Sequence, residues 1–491
     1  MTAPSQRYRP SLALLTDFYE LTMAFAAFRS GVEGREAAFT LSFRENPFHG
    51  GFTVAAGLED VIDLVSHLRF EPDDLAFLRE QCGGDGAPLF DEPFLASLAV
   101  LEFAVDMDAM PEGTVVFPHE PLLRVVGPVV PAMLLESALL AVVNFQTLVA
   151  TKAARVCLAA QGEPVLEFGL RRAQGIDGAL TASRAAYVGG CAATSNTLAG
   201  KLYGIPVKGT HAHSWVMIHD DEREAFLEYA RALPANCVFL VDTYASLDGV
   251  RHAIEAGRWL RSQGHELAGI RLDSGDLAWL SGQARRMLDE AGFERVAIFA
   301  SNELDEIIIQ SLKEQGAPIV VWGVGTRLVT GQEDAALGGV YKLGAVRNGS
   351  AAPWVRRVKL SDQTAKVNIP GILQVRRFRA PAGQAEIDVI YDELLGLPPR
   401  AVMVDPLDPT RRRGVPAAEG EDLLVPVFRR GRRVYTPPPL SEVRARTLAQ
   451  LAAFHGGVKR FVNPHRYPVG LERGLHDLRT QLVLDARGAP V

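Results

Sequence analysis

The stretch with the most chemically capable side chains runs from residue 206 to residue 217 and reads Pro-Val-Lys-Gly-Thr-His-Ala-His-Ser-Trp-Val-Met. Two histidines, His211 and His213, occupy alternate positions, and alternate residues of an extended segment share one face. Nucleophiles and hydrogen-bond donors crowd the same positions, namely Lys208, Thr210 and Ser214. Such a cluster directly after a short apolar strand indicates a reaction centre. The alternative is that one histidine caps a helix and the other is an ordinary surface residue.

Short apolar strands and helices alternate around this stretch. From Pro164 onward the predicted strands are 165–169, 206–209, 238–242, 269–272, 296–299, 319–322 and 340–343. The predicted helices between them are 183–203, 221–233, 246–263, 278–291 and 303–315. Repeated β-α units imply a parallel sheet with right-handed crossovers. Seven strands in this length favour a closed but irregular barrel.

The regions before and after the repeat follow other patterns. Residues 1–145 are predicted to form an α+β domain, with a helix over 12–31, a strand over 37–43, a helix over 57–70 and short strands within 114–130. A long helix over 133–157 leads into the barrel, which is assigned to 146–350. Prolines punctuate 351–491, although a helix is predicted over 441–454. The predicted fold class is α/β: an irregular parallel β/α barrel with an N-terminal α+β domain and a small irregular C-terminal region packed on it.

In an α/β barrel the reacting groups gather at the carboxyl ends of the strands. The predicted strand ends carry arginines, histidines and carboxylates, which a purely structural barrel would not need at one rim. In strand order these are Glu167, Arg171 and Arg172; Thr210, His211 and His213; Asp242, Thr243 and Tyr244; Arg271, Asp273 and Asp276; Ser301, Asn302 and Glu303; Gly323, Gly325 and Thr326; and Lys342.

Two turns at these ends suggest ligands. The turn Gly-Val-Gly-Thr at 323–326 opens a predicted helix, where backbone N–H groups can cradle a phosphate. The turn Asp-Ser-Gly-Asp at 273–276 places two carboxylates close together, which suits a ribose diol or the ligand shell of Mg²⁺. Asp276 can instead cap the following helix.

The distribution of charge indicates an anionic substrate. No Asp or Glu occurs from Gly178 to His219, whereas Arg184, Lys201 and Lys208 fall inside this stretch. A rim with bases and without acids attracts anions. The whole chain has a formal net charge of −7, so nucleic acid is not the expected partner.

The remaining composition is that of a cytoplasmic protein. The cysteines Cys82, Cys157, Cys191 and Cys237 lie far apart without metal-type spacing, as expected of free thiols. The first ten residues lack the apolar run of a signal peptide. No uninterrupted apolar segment reaches the ~18 residues of a membrane helix, so no membrane association is expected.

Taken together, these motifs closely resemble those of the nicotinate phosphoribosyltransferase family. The resemblance extends over about residues 14–371 and more loosely into the tail. Its motifs are Leu-Leu-Thr-Asp-Phe-Tyr-Glu-Leu-Thr-Met (14–23), Glu-Phe-Gly-Leu-Arg-Arg (167–172), Gly-Thr-His-Ala-His-Ser (209–214), Arg-Leu-Asp-Ser-Gly-Asp (271–276), Gly-Val-Gly-Thr (323–326) and Gly-Gly-Val-Tyr-Lys-Leu (338–343).

The resemblance implies a reaction. Nicotinate attacks C1 of 5-phosphoribosyl 1-diphosphate and displaces diphosphate, giving nicotinate mononucleotide. ATP hydrolysis is coupled through a phosphorylated histidine, and Mg²⁺ is required but not tightly bound. In the family pattern Gly-Thr-x-Ala-His-Ser that histidine is the last one, here His213, whereas His211 stands at the variable position. The related nicotinamide-using enzyme carries an aspartate at this loop, so the acid-free stretch favours nicotinate.

The resemblance also implies roles for individual residues. Phe168 would be the platform for the pyridine ring, and Tyr19 of a neighbouring subunit would close its other face, which implies a homodimer with shared active sites. Asp273 would face the ribose. The groups that would bind the substrate carboxylate or the phosphates are Arg171, Thr210, Arg271, Gly323, Gly325 and Thr326. His213, Asp273 and Arg271 form the expected catalytic group.

Two other functions are compatible with parts of the sequence. A His-x-His pair at a barrel strand end can hold zinc or a metal pair, as in metal hydrolases. No further histidine lies at a later strand end, which weighs against that function. A barrel retained only for binding would be expected to have lost some motif residues, and none is visibly lost.

Overall fold

The computed structural model describes residues 11–361, 367–416 and 419–488, and it separates into two compact units. The first unit combines the two ends of the chain, Met1–Leu148 and Ala336–Val491, and the second unit is Val149–Ala335. The predicted three-way division differs from this arrangement, because residues 351–491 share a compact unit with the N-terminal region.

The strands and helices of the described residues are numbered in chain order. The strands are β1 Glu36–Phe43, β2 Thr53–Val54, β3 Asp106–Ala109, β4 Val115–Val116, β5 Leu123–Pro128, β6 Val165–Glu167, β7 Ala193–Thr194, β8 Val238–Leu240, β9 Gly269–Leu272, β10 Ala297–Ala300, β11 Val321–Val324, β12 Gly339–Arg347, β13 Val355–Arg356, β14 Leu373–Arg379, β15 Ala385–Asp392, β16 Arg400–Val404, β17 Arg412–Pro416, β18 Glu421–Asp422, β19 Val425–Arg429, β20 Arg432–Arg433 and β21 Val469–Glu472.

The helices are α1 Phe18–Arg29, α2 Leu58–His67, α3 Pro72–Arg79, α4 Glu92–Ala99, α5 Val129–Met133, α6 Glu136–Ala159, α7 Gly175–Val188, α8 Thr197–Tyr203, α9 His213–Met217, α10 Glu222–Ala232, α11 Ser246–Ser262, α12 Leu277–Glu290, α13 Glu306–Glu314, α14 Thr326–Val329, α15 Leu440–Ala453 and α16 Arg473–Arg487. Short 3₁₀ turns occur at Pro47–His49, Leu170–Arg172 and Gly456–Lys459.

A seven-stranded sheet in the first unit joins both ends of the chain, in the order β13-β12-β1-β5-β3-β19-β20. Strand β12 contains the predicted barrel strand 340–343, and that assignment was wrong because β12 pairs antiparallel with β1. The aromatic side chains on the two strands explain the pairing. Tyr341 stacks on Phe39 with ring centroids 4.8 Å apart, and its hydroxyl donates to the Ala132 carbonyl at 2.7 Å. The buried core of this unit lies between the sheet and the neighbouring helices.

The C-terminal part of the first unit is more regular than the sequence suggested. A six-stranded sheet has the order β17-β16-β21-β15-β14-β18. Within it, Arg377 and Asp388 form a fully buried pair, with Arg377 Nε donating to Asp388 Oδ1 at 2.9 Å. Two of the prolines that suggested irregular structure, Pro398 and Pro399, fall in a connection outside the strands. The predicted helix 441–454 is confirmed as α15.

The second unit contains the predicted parallel sheet, and the α/β fold class is confirmed. Its strands follow the order β7-β6-β11-β10-β9-β8, and each neighbouring pair is parallel. Five of the predicted strands correspond to β6, β8, β9, β10 and β11. The predicted strand 206–209 contributes only a bridge between Val207 and Thr194. Among the described residues the sheet therefore has six strands, not seven, with β7 and β8 at its edges.

The predicted helix over 183–203 was also wrong. Helix α7 ends at Val188, strand β7 follows, and α8 begins only after Asn196 caps it by accepting from the Ala199 N–H. Gly190 has φ +119°, a conformation that residues other than glycine rarely adopt, so the chain cannot continue as a helix there.

One helical stretch, Val129–Ala159, is long and apolar enough to cross a membrane by length and composition alone. Of its most apolar window, 56% is buried inside the protein. A core helix that is mostly buried in the protein can meet the same criteria of length and apolar composition.

Candidate functional site

Most of the predicted site residues lie along the carboxyl edge of the parallel sheet in the second unit. Phe168 and Arg171 follow β6, the glycine turn follows β11, and Arg271 and Asp273 lie at the end of β9. In the order β6-β11-β10-β9-β8 four strand spacings of roughly 4.8 Å separate the outer strands. This width suits an extended ligand with several recognisable parts.

A buried carboxylate fixes the turn that carries Phe168. Glu167 accepts hydrogen bonds from Ser183 Oγ at 2.8 Å and Thr194 Oγ1 at 2.5 Å, and the Gly169 N–H also donates to it. The Phe168 N–H donates to the Val324 carbonyl at 2.8 Å. The Phe168 ring then lies against Gly323, where an added Cβ would come within 2.8 Å of the ring. The glycine therefore makes room for the aromatic side chain.

Arg171 lies in an exposed 3₁₀ turn beside an open, largely apolar cleft. Ile176 and Leu198 contribute to the wall of this cleft, and both are exposed. A cation next to apolar surface can bind the carboxylate of a flat aromatic acid while the ring contacts the apolar wall.

The Arg271 guanidinium is mostly buried and only partly satisfied. It donates to Thr210 Oγ1, whereas its Nε has no hydrogen-bond partner within the described ranges. Burial lowers the pKa of Arg271, with the Asp273 and Asp242 carboxylates opposing that effect, yet a guanidinium remains a cation in proteins. A buried donor without a partner is costly, so this group is prepared for an anionic or carbonyl oxygen.

His213 begins helix α9 and lies between two polar groups from neighbouring strand ends. Its Nδ1 is 3.2 Å from Thr243 Oγ1, and its Nε2 is 3.8 Å from Asp273 Oδ2. The imidazole is 40% exposed, so a ligand can reach it. Asp273 in turn accepts a hydrogen bond from Ser301 Oγ. The structure thus brings His213, Asp273 and Arg271 to the same end of the sheet.

Two residues that received no role in the sequence analysis join this group. Asp242 accepts from the Asp273 N–H at 2.9 Å and from Ser274 Oγ at 2.6 Å, and it therefore shapes the acidic turn. Its other oxygen, Oδ1, is buried without a hydrogen-bond partner among the described residues. Ser301 orients Asp273. Asp242 and Ser301 were both at predicted strand ends, and this position was the only feature of the sequence that could have indicated a role in the site.

The two histidines of the His-x-His pair do not share a face. His211 is buried against the rings of Phe226, Tyr229 and Phe239. Its Nε2 accepts from the Leu240 N–H at 3.1 Å, and its Nδ1 lies 3.2 Å from the Ala212 carbonyl. Burial lowers the pKa of His211 to about 4, so the ring is neutral at physiological pH. With both nitrogens engaged, His211 cannot form a metal pair with His213.

In the glycine turn after β11, the backbone of Gly325 lies close to the backbone of Phe168. A Cβ at Gly325 would come within 3.2 Å of the Phe168 carbonyl oxygen. Thr326 begins the four-residue helix α14, and its hydroxyl lies 3.5 Å from Glu303 Oε1. Backbone N–H groups of this turn are donors at the same sheet edge as Phe168 and Asp273.

Other predicted rim residues have structural positions. Asp276 caps α12 by accepting from the Trp279 N–H at 3.0 Å. Arg184 is fully buried in α7 and does not contribute charge to the rim. Lys342 belongs to the first unit, where it lines a small pocket with Arg44 and His119.

Tyr19 also belongs to the first unit, in the first turn of α1. Tyr19 is 46% exposed, and the nearby Leu15, Phe18 and Met23 are exposed as well. Burial of the hydroxyl and the nearby Glu136 carboxylate raise the pKa of Tyr19 to about 12, so the phenol keeps its proton.

The fold and the site define an α/β protein with a cation-lined, partly aromatic site at the carboxyl edge of a parallel sheet. Comparison with known proteins identifies its family. The N-terminal and C-terminal domain models of nicotinate phosphoribosyltransferase match residues 14–144 and 373–479. The nicotinate phosphoribosyltransferase of Bacillus subtilis is 40% identical over 481 residues, covering 97% of this chain and 96% of that protein.

Further relatives give the same result. The nicotinate phosphoribosyltransferase of Dictyostelium discoideum is 37% identical, covering 96% of this chain and 88% of that protein. The crystal structure of human nicotinic acid phosphoribosyltransferase superposes with a TM-score of 0.83 at 32% identity, covering 95% of this chain and 99% of that chain. The chain therefore belongs to the nicotinate phosphoribosyltransferase family.

Proposed function

We propose that this protein transfers the phosphoribosyl group of 5-phosphoribosyl 1-diphosphate to nicotinate, forming nicotinate mononucleotide and diphosphate. The observation that carries the proposal is the convergence of an aromatic ring, two arginines, a histidine and a carboxylate pair at one sheet edge. These are Phe168, Arg171, Arg271, His213, Asp242 and Asp273. The proposal is also supported by sequence identities of 40% and 37%, over nearly the whole chain, to proteins named for this activity.

Each part of the substrates has a suitable partner. The pyridine ring would stack on Phe168, and Arg171 would bind the carboxylate of nicotinate. Arg271, together with Thr210, would bind phosphate oxygens through its Nε, which has no partner among the residues that the structure describes. The glycine turn with Gly323, Gly325 and Thr326 would hold the 5′-phosphate by backbone N–H groups.

The reaction needs little acid–base catalysis. The lone pair of the pyridine nitrogen forms a bond to C1 of the ribose, and the C1–O bond to diphosphate breaks with its electron pair. The transition state has positive charge on the ribose and negative charge on the leaving group. Asp273 would stabilise the positive charge on the ribose, and Arg271 would stabilise the negative charge on the leaving diphosphate. Positioning and preorganised charge would then supply most of the rate.

We propose that Mg²⁺ enters with the diphosphate substrate at Asp242 and Asp273. Mg²⁺ is often held by one or two carboxylates plus substrate phosphates. The buried Asp242 Oδ1, which has no hydrogen-bond partner in the described part of the chain, fits such a ligand. When bound, the ion would neutralise charge on the leaving diphosphate.

We further propose that ATP phosphorylates His213. A ring nitrogen of His213 would attack the γ-phosphorus, and ADP would leave with the electrons of the broken P–O bond. Hydrolysis of the phosphohistidine would return the imidazole. A phosphoryl group on this ring would place about −2 charge beside Asp273, which lies 3.8 Å away. Repulsion between these groups would change the position of α9 or of the acidic turn, and so couple ATP to substrate binding.

The central test is a product assay with purified full-length protein, nicotinate and 5-phosphoribosyl 1-diphosphate, with and without ATP. Nicotinate mononucleotide should form in both cases and faster with ATP. The value of kcat/KM should be higher for nicotinate than for nicotinamide, because the neutral amide lacks the carboxylate charge that would pair with Arg171. Absence of the nucleotide product would reject the proposed function, and equal values for acid and amide would reject the substrate preference.

Phosphorylation is tested separately with γ-labelled ATP. The wild-type protein and His211→Ala should incorporate label, whereas His213→Ala should not. Label that survives in His213→Ala and disappears in His211→Ala would overturn the assignment.

We also propose that the active unit is a homodimer in which Tyr19 of one subunit closes the pyridine site of the other. The exposed apolar residues Phe18, Tyr19 and Met23 of α1, with Leu15 just before the helix, support this proposal. Exposed apolar side chains concentrated in one short segment are expected to be covered by a partner.

A further inference from the structure

A basic cleft occurs in the first unit, on residues that the proposed reaction does not use. It has a volume of about 630 Å³, within the range of roughly 300–1,000 Å³ of small-molecule sites. The chain segment from α15 to β21 forms most of its wall. We define the basic cleft by six of its lining residues, namely Arg413, His455, Arg460, Asn463, His465 and Arg466.

The charge of the basic cleft is opposite to that of the whole chain. Three guanidinium groups line it, against a single carboxylate, Glu386. The formal net charge of the protein is −7. Local positive charge on a negatively charged protein concentrates anions at one place.

Several donors in the basic cleft are available to a ligand. Arg413 donates to Glu386, and Arg466 lies 3.8 Å from Asp405. Neither an ion pair nor a side-chain hydrogen bond engages Arg460, Asn463 or His465 within the described parts of the chain. His455 Nδ1 accepts from the Gly457 N–H at 3.0 Å, so the proton of the neutral ring is on Nε2, which is left as a donor.

The loop that presents these donors is held in place by backbone contacts. The His465 N–H donates to the Gly457 carbonyl at 2.9 Å, and Tyr467 Oη donates to the buried Asp388 at 3.1 Å. Gly51 packs so closely that an added Cβ would lie 2.3 Å from the Val458 carbonyl oxygen. A fixed loop loses little conformational entropy on binding, which favours a preorganised site.

We infer that the basic cleft binds a phosphate monoester of a small metabolite. Guanidinium groups bind phosphate oxygens in a bidentate manner. Arg413 and Arg466 each have a carboxylate nearby, whereas Arg460 has none among the described residues, so the basic cleft keeps an excess of positive charge that suits a phosphate group. The cleft is larger than a phosphate group, and the apolar side chains of Val458, Pro464 and Pro468 line it as well. The organic part of the metabolite occupies this space. The site lies entirely within the first unit and does not depend on the proposed transfer reaction.

The test localises binding by hydrogen exchange of the segment 455–468 in the full-length protein. AMP and inorganic phosphate are the probes, and adenosine is the uncharged comparison. AMP should slow exchange in this segment and bind more tightly than inorganic phosphate, while adenosine should have no effect. Similar affinities for AMP and inorganic phosphate would show that the organic part is not recognised, which overturns the inferred ligand class.

Substitutions then assign the binding to named side chains. The double variant Arg460→Ala/His465→Ala should weaken AMP binding at this segment at least about tenfold, since two charge-assisted contacts are lost. Arg432→Ala, at an exposed arginine of the same unit, is the matched control and should leave it unchanged. Equal weakening of AMP binding in the double variant and in Arg432→Ala would contradict the inference. Unaltered hydrogen exchange of the segment 455–468 in the wild-type protein at millimolar AMP would contradict it as well.

Discussion

At the scale of single residues, environment separates two histidines that the sequence presents as a pair. His213 is accessible and lies between Thr243 and Asp273, whereas His211 is enclosed by aromatic rings and spends both nitrogens on backbone groups. The spacing His-x-His predicted a shared face, but the turn into α9 rotates the second ring away from the first. The family pattern selected His213, and the hydrogen bonds explain why His211 has a different role.

The buried His211 makes stability depend on pH. Its folded-state pKa is about 4, below the ordinary value of about 6.5, so the unfolded state binds more protons between these values. Stability is therefore present above pH 6.5 and is lost as pH falls towards 4. For His211 alone the loss at pH 4 should be on the order of 3 kcal/mol.

His211→Gln should remove this contribution while keeping an acceptor for the Leu240 N–H. Urea unfolding from pH 7 to pH 4 should show a smaller loss of unfolding free energy in the variant. His119 has a similarly lowered pKa of about 4 and is present in both proteins, so it cancels in the comparison. Identical slopes for the two proteins would contradict the assigned pKa.

Gly323 is a second residue whose role only the packing reveals. The sequence indicated a phosphate-binding turn, and the structure adds that Gly323 supports the Phe168 ring. In Gly323→Ala the new methyl group would lie 2.8 Å from the ring, which must move by several tenths of an ångström. Since misplacement near a reacting centre is costly, kcat/KM for nicotinate should fall about 10- to 100-fold.

The matched control is Gly282→Ala, because a Cβ at that position in α12 has no atom within 4 Å. It should leave kcat/KM unchanged. Steady-state kinetics with nicotinate as the varied substrate measure both variants. Normal kinetics in Gly323→Ala would show that the ring does not contact the substrate.

At the scale of elements, the sequence predicted which segments form strands better than which strands are neighbours. Five of the parallel strands were found, because short β-branched runs bounded by turns are a local signal. Strand β12 carries the same signal but joins β1 in the other unit, since pairing partners depend on distant residues such as Phe39 and Tyr341. Strand β7 was not predicted, because its two residues, Ala193 and Thr194, are too few to show an apolar pattern.

A buried ion-pair group fixes two helices of the second unit. On α6, Lys152 Nζ lies 2.9 Å from Glu306 Oε2, and Arg155 Nε lies 2.6 Å from Glu306 Oε1. All three side chains are almost completely buried. Glu306→Gln keeps the shape of the side chain but removes the negative charge that the two buried cations share, although Lys152 Nζ also lies 3.9 Å from Glu333 Oε2. The free energy of unfolding should therefore fall by roughly 3–5 kcal/mol.

Arg231→Ala provides the comparison, because its ion pair with Glu228 is exposed on α10. Such surface pairs contribute roughly 0–1 kcal/mol. Chemical denaturation of both variants measures the difference. Equal losses would mean that the buried group contributes no more than a surface pair.

At the scale of the whole molecule, no pattern in the sequence indicated that the first unit is built from both ends of the chain. Strands β1, β3 and β5 share a sheet with β12 and β19, although hundreds of residues separate them. Most of the predicted site residues lie at one edge of the parallel sheet, a placement that followed from local patterns. Family motifs and strand ends are local in sequence, whereas Asp242 and Ser301 gained their roles only from contacts across strands.

The proposed homodimer makes a prediction about shared active sites. Tyr19 and Arg171 would serve one site but come from different subunits, so Tyr19→Ala and Arg171→Ala should each lose most activity. In a heterodimer of the two variants, one site receives both substitutions and the other receives neither. Such heterodimers, isolated with two affinity tags, should recover about half of the wild-type activity.

The outcome distinguishes three arrangements. If Tyr19 instead acted within its own chain, both sites of the heterodimer would carry one substitution, and no activity would return. If the protein were active as a monomer, the two tags would not co-purify, and sedimentation would give the mass of a single chain. Only the exchange of Tyr19 between subunits yields an intact site from two inactive proteins, because recovery requires that the exposed face of α1 contacts a second copy at its pyridine site.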